Sequence, residues 1–114
     1  FIHIDDVSLA TYKIIQKGKS GEIYHIASDD IISIRELVKF ICKKMGYKFD
    51  DLVKISPERP GKDKFYILSN KKLKKRFNWK PKIPINDGIN RCINWIKKDL
   101  KSFSKNDYEY IHKK

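Results

Sequence analysis

The sequence predicts a mixed α/β fold in which short strands accompany two to four helices. Three observations carry this. Ser33 followed by Glu36 and then by apolar residues at helical spacing marks a capped helix. From Ile85 onward, apolar residues recur at intervals of three and four up to Phe103. Between such segments lie apolar runs too short for helices and bounded by glycine and polar turns, Ile23-Tyr24-His25-Ile26-Ala27 among them.

In chain order, residues 1–4 read as a short strand running into Asp5 and Asp6, two acidic residues suited to capping a helix. Val7, Ala10, Ile14 and Ile15 then fall at helical spacing until Gly18, and residues 18–21 form a turn. Residues 23–27 read as a buried strand ending in Ser28-Asp29-Asp30. The capped helix follows, with Ile34, Leu37, Val38, Ile41 and Met45 on its apolar face and Gly46 as its stop. Residues 52–56 and 65–68 read as extended pieces on either side of a Pro60-Gly61 turn. Ser69 is placed to cap a short basic helix over 70–77, after which Trp79-Lys80-Pro81 turns the chain. Pro84 then precedes the long amphipathic helix, where its missing N–H costs nothing. Residues 104–114 are polar and read as a frayed tail.

At 114 residues the chain is one small domain's worth, and it reads as a segment of a longer protein because it opens inside a strand pattern. No apolar run approaches the roughly 20 residues of a membrane span. Cys42 and Cys92 fall among apolar helical positions without metal-ligand spacing, which suits two buried thiols in a reducing cytoplasm. The net charge of +12 raises nucleic-acid binding, but lysine is scattered along the whole chain. With 35% charged and 40% hydrophobic residues, the balance is that of an ordinary globular domain. The densest basic run, residues 71–76, reads as a solvated helix face. No nucleic acid, membrane or metal partner is expected, and His3, His25 and His112 lack ligand spacing.

The segment Glu58-Arg59-Pro60-Gly61-Lys62-Asp63 concentrates the chemistry. Proline sets φ, glycine supplies the positive φ of a type II turn, and the guanidinium of Arg59 can then grip a phosphate with both arms. Around it, in order, stand Phe1-Ile2-His3-Ile4-Asp5-Asp6, Gly21-Glu22-Ile23-Tyr24-His25-Ile26, Phe77-Asn78-Trp79-Lys80-Pro81 and Asp87-Gly88-Ile89. Over residues 1–97 this series resembles the C-terminal third of extended short-chain dehydrogenase/reductases that modify nucleotide-sugars. Within that family it is most similar to the dTDP-glucose 4,6-dehydratase group, with its motifs F-I-H-V-x-D, G-E-x-Y-N-I, D-R-P-G-H-D and L-G-W-K-P.

The resemblance implies a substrate-binding part of a Rossmann-type enzyme over residues 1–103, followed by the tail 104–114. It further implies a nucleotide-diphosphate sugar as substrate, NAD bound by an N-terminal part, a cytoplasmic homodimer, and hydride abstraction at C4 with loss of water across C5–C6. The motif arginine that contacts the diphosphate carries over to Arg59, and the pocket lining to Glu58, Pro60, Gly61 and Lys62. Glu58 replaces aspartate and Lys62 replaces histidine, so a cation is retained where a ring contact is lost. His25 stands where the family has a substrate-contacting asparagine; a neutral imidazole offers one donor and one acceptor in its place. His3 and Asp6 read as structural, and Trp79 and Trp95 as core.

The chain carries neither the glycine-rich dinucleotide loop nor a catalytic residue of its own; Tyr110 and Lys114 imitate the family's Tyr-x-x-x-Lys by chance, within the tail. Alternatives are a nucleotide-sugar 4-epimerase of the same family and, from another class, a basic nucleic-acid-binding module. Taken alone, the chain is expected to be inactive and to expose apolar surface.

Overall fold

A computed structural model describes residues 1–57, 60, 61, 63 and 65–100. Its regular elements there are five helices: α1 Ile4–Lys17, α2 Ile34–Met45, α3 Phe49–Leu52, α4 Lys71–Phe77 and α5 Ile85–Lys98.

Helix α1 begins at Ile4, inside the segment expected to be a strand. His3 is its N-cap, with Nδ1 accepting from the Asp5 N–H at 3.2 Å. Asp5 and Asp6 therefore occupy the first turn, where their charge suits the helix dipole. The helix stops at Gly18, whose N–H donates to the Ile14 carbonyl at 2.7 Å. Helix α2 carries the expected capping box: the Glu36 N–H donates to Ser33 Oγ at 3.1 Å and the Ser33 N–H to Glu36 Oε2 at 3.0 Å. Gly46 ends it in the left-handed conformation at φ 80°. Leu37 and Cys42 of this helix are buried, and Lys39 reaches over the Phe49 ring of α3. Helix α3 itself was not expected, and it takes Leu52 out of the strand proposed for 52–56.

The core forms where α1 meets α4. Ala10, Leu73, Phe77 and Trp79 are buried together, flanked by Ile2, Leu9, Ile14, Tyr24 and Ile26. Asp6, only 3% exposed, joins α1 to the lead-in of α5 by accepting from the N–H groups of Lys82 and Ile83, both at 3.0 Å. It is a long-range tie rather than the expected cap. Gly88 of α5 lies against His3, so that the two helix starts abut; a Cβ at Gly88 would come within 3.3 Å of the His3 ring.

Four expectations are corrected. The strand segments at 1–4, 23–27, 52–56 and 65–68 form no ladder among the described residues; a strand needs backbone-to-backbone pairing, and the chain ends of the first two meet only through the Ser28 hydroxyl on the Phe1 carbonyl at 2.6 Å. Within residues 23–27, Tyr24, Ile26 and Ala27 are half-buried and Ile23 and His25 exposed, so the segment is not the buried strand expected. Cys42 is buried as expected, but Cys92 is exposed, so only one of the two thiols is sequestered. Trp95 is 58% exposed rather than in the core. Phe103 and the tail lie outside the described residues.

Candidate functional site

With no ladder to satisfy it, the extended segment 22–29 is held by side chains of α4 and its lead-in. Asn70 Nδ2 donates to the Ala27 carbonyl at 2.8 Å and to Asp29 Oδ1 at 3.0 Å. Lys74 Nζ lies 2.6 and 2.7 Å from the two Asp29 oxygens. At the other end, Lys72 Nζ donates to the Ile23 carbonyl at 2.8 Å, and Arg76 pairs with Glu22 at 3.0 Å. The Tyr24 hydroxyl donates to the same Glu22 carboxylate at 2.6 Å, while its ring packs on Phe77 with centroids 5.3 Å apart. Lys72 stands over the Tyr24 ring at 4.6 Å, a cation–π contact.

These contacts set the electrostatics. The Tyr24 hydrogen bond, helped by Arg76 and Lys72, holds the Glu22 carboxyl below the ordinary range. Lys74, then Asn70, do the same for Asp29. The run 71–76, expected to be a plain solvated face, therefore spends Lys72, Lys74 and Arg76 on one neighbouring segment. Sequence reasoning missed these residues and Asn70. A usable signal was present: Lys72 and Arg76, four apart, share a helix face, and acidic residues flank the apolar run at 22 and 29.

Alternation along the segment decides what His25 can do. Tyr24 and Ile26 turn toward the core, whereas Ile23 and His25 are exposed. His25 thus faces solvent from a backbone pinned on both sides. Pro60 and Gly61 form an exposed turn with Gly61 at φ 75°, the positive value expected of it. Glu58, Arg59 and Lys62 lie outside the described residues. Among the described residues no hydrogen bond or ion pair joins the Pro60-Gly61 turn to the His25 segment.

A separate open cavity of about 640 Å³ is bordered by Lys13, Asp29, Lys74, Trp79 and Lys80, and none of the expected site residues lines it. Trp79 is buried as expected, and its Nε1–H finds no acceptor among the described residues. No group of three or more potential metal ligands occurs among them either, and no helix there is long and apolar enough to cross a membrane.

The geometry has close relatives. Residues of this chain superpose on the crystal structure of dTDP-glucose 4,6-dehydratase from Bacillus anthracis in complex with NAD with a TM-score of 0.79 and 26% identity, covering 88% of this chain and 31% of that one. A dTDP-glucose 4,6-dehydratase of Streptomyces niveus is 29% identical over 97 residues, 85% of this chain and 29% of the relative. This chain is related to the extended short-chain dehydrogenase/reductases. The enzyme WbmF of Bordetella bronchiseptica, solved in complex with NADH, is a further structural neighbour, with a TM-score of 0.74, 25% identity and coverage of 92% of this chain and 31% of that one. No protein-family model matches the chain. The chain spans less than a third of the length of the curated dTDP-glucose 4,6-dehydratases it matches.

Among the described residues there is no glycine cradle for a dinucleotide such as the NAD held by the Bacillus anthracis neighbour. A Cβ added at Gly21, Gly46 or Gly61 would meet nothing within 4 Å, and Gly18 and Gly88 press on the chain's own Ile14 and His3. None of the glycines forms a strand-to-helix cradle for a pyrophosphate.

Proposed function

We propose that this chain is the substrate-binding portion of a longer NAD-dependent nucleotide-sugar 4,6-dehydratase. The observation that carries the reading is the match of 88% of the chain to a dTDP-glucose 4,6-dehydratase at a TM-score of 0.79. The proposed role of this portion is to grip the nucleotide diphosphate, while hydride transfer and dehydration belong to residues outside it.

Arg59 is the proposed diphosphate clamp, because a planar guanidinium can place two charge-assisted hydrogen bonds on one phosphate. Pro60 and Gly61 support the reading: Gly61 has the positive φ of a tight turn, and a proline-glycine turn leaves little backbone entropy to be lost on binding. Glu58 and Lys62 flank the clamp, with Lys62 adding a further cation. His25 is the proposed contact to the rest of the substrate, since it projects outward from a held backbone.

In the whole enzyme, Arg59→Ala is expected to raise the dissociation constant of dTDP by one to two orders of magnitude, which corresponds to about 1.5–3 kcal/mol for a hydrogen bond to a charged group. Arg59→Lys should fall in between, and NAD content should not change in either variant. Titration calorimetry with dTDP makes the measurement; unchanged affinity in the alanine variant would return the Pro-Gly segment to a surface turn.

A further inference from the structure

Asn70 occupies the N-cap position of α4, yet its side chain makes no capping bond there. Asparagine is among the best N-cap residues, worth about 0.5–2 kcal/mol over alanine in that role. Here the amide is only 5% exposed and is turned across to the other segment, donating to Ala27 and Asp29, residues 43 and 41 positions away. Helix α4 takes no capping bond from Asn70, its first-turn Lys71 N–H donating instead to Ser69 Oγ at 3.4 Å, while the backbone two residues beyond His25 is tied down.

That tie has a consequence for parity. In an extended segment, a slip of one residue exchanges the inward and outward faces. Tyr24 and Ile26 face the core, and His25 faces solvent, only in the present register. A paired strand would fix its register through ladder bonds, but among the described residues this segment has none. Lys72 at the Ile23 carbonyl and Asn70 at the Ala27 carbonyl bracket His25, and of these two side chains Asn70 is the buried one.

We propose that Asn70 is a positioning residue that holds segment 22–29 in the register presenting His25 to the nucleotide-sugar. The proposal rests on the reading of His25 as a substrate contact. Its discriminating feature is that the effect of Asn70 on substrate must pass through His25, whereas a purely structural role would not.

The test is a double-mutant cycle in the whole enzyme, with the KM for dTDP-glucose, kcat and thermal stability measured on each variant. Asn70→Ala is expected to raise KM about five- to thirtyfold with a smaller change in kcat. In a His25→Ala background the same substitution should change KM less than about twofold. Asp29→Ala, at an exposed side chain, removes one acceptor of the Asn70 amide together with the Lys74 ion pair. It should raise KM in the same His25-dependent way by a smaller factor.

An equal rise in KM in both backgrounds, or a lower melting temperature with unchanged KM, overturns the proposal. If His25→Ala leaves KM unaltered while Arg59→Ala weakens dTDP binding, this proposal fails and the substrate-binding reading stands. If neither substitution has an effect, that reading fails as well.

Discussion

Helix α4 has seven residues, five of them lysine or arginine, and it supplies two of the buried core side chains, Leu73 and Phe77. Helix α5 has fourteen residues and the longest apolar periodicity in the sequence, yet Gly88 is its one buried residue. The contrast extends to the two tryptophans: Trp79, just after α4, is 2% exposed, and Trp95 within α5 is 58% exposed. An amphipathic pattern states that a face needs a partner; it does not supply one. Helix α4 lies between α1 and segment 22–29, so even its short apolar face is covered. Helix α5 is tied to α1 at Gly88, at the turn held by Asp6 and by the exposed Arg91–Asp5 pair at 3.2 Å, none of which buries its apolar face.

The largest expected effect separates the two helices directly. Leu73→Ala, at a fully buried side chain, should cost about 2–5 kcal/mol of stability in denaturant unfolding. Trp95→Ala should cost less than about 1 kcal/mol in the same assay on this chain. Equal losses would mean that α5 packs as tightly as α4 in solution.

The next effect probes the junction between α1 and α5. Asp6→Asn keeps the shape but turns an amide N–H₂ toward a backbone donor, at an expected cost of about 1–3 kcal/mol. Hydrogen exchange should then quicken at Lys82 and Ile83 before it does in α4; uniform quickening would assign Asp6 a global role instead.

Local features should matter less. Ser33→Ala removes the acceptor of the Glu36 N–H and opens the capping box, for about 1 kcal/mol, with the loss confined to α2 by circular dichroism and exchange.

The smallest effect is that of acid on the exposed pairs. Glu22, Asp29 and Glu36 all have lowered carboxyl pKa values in the fold, for Glu36 because Ser33 hydrogen-bonds it through side chain and backbone. A depressed folded-state pKa adds stability that is present above the ordinary carboxylate value and lost as pH falls through the folded one. The melting temperature should therefore decline on acidification below about pH 4.3, and Glu22→Gln with Asp29→Asn should flatten that decline. A decline of the same slope in the double variant would place the acid sensitivity elsewhere.

Much of the outline was legible before any coordinates. The helix ends follow rules that act within one turn: the Ser33–Glu36 box, the left-handed Gly46 and the positive φ of Gly61 all stand where the spacing put them. The ordered motifs carried the family relationship, because motif order survives when overall identity has fallen to 29%. What the spacing misjudged was pairing. Apolar runs of strand composition formed no ladder among the described residues, and two of them gave an end residue, Ile4 and Leu52, to a helix, since composition sets backbone preference and a neighbour sets the ladder.

Sequence by itself determined that helices stand at α1, α2, α4 and α5, the stops at Gly18 and Gly46, and the Pro60-Gly61 turn, because each depends on residues a few positions apart. Only the tertiary structure decided that Asp6 would be a tie rather than a cap, that Asn70 would abandon its own helix for segment 22–29, and that His25 would face outward. Those bonds join residues 41 to 77 positions apart, a separation over which no local rule operates and only the packing of α1, α4 and their neighbours chooses the partner.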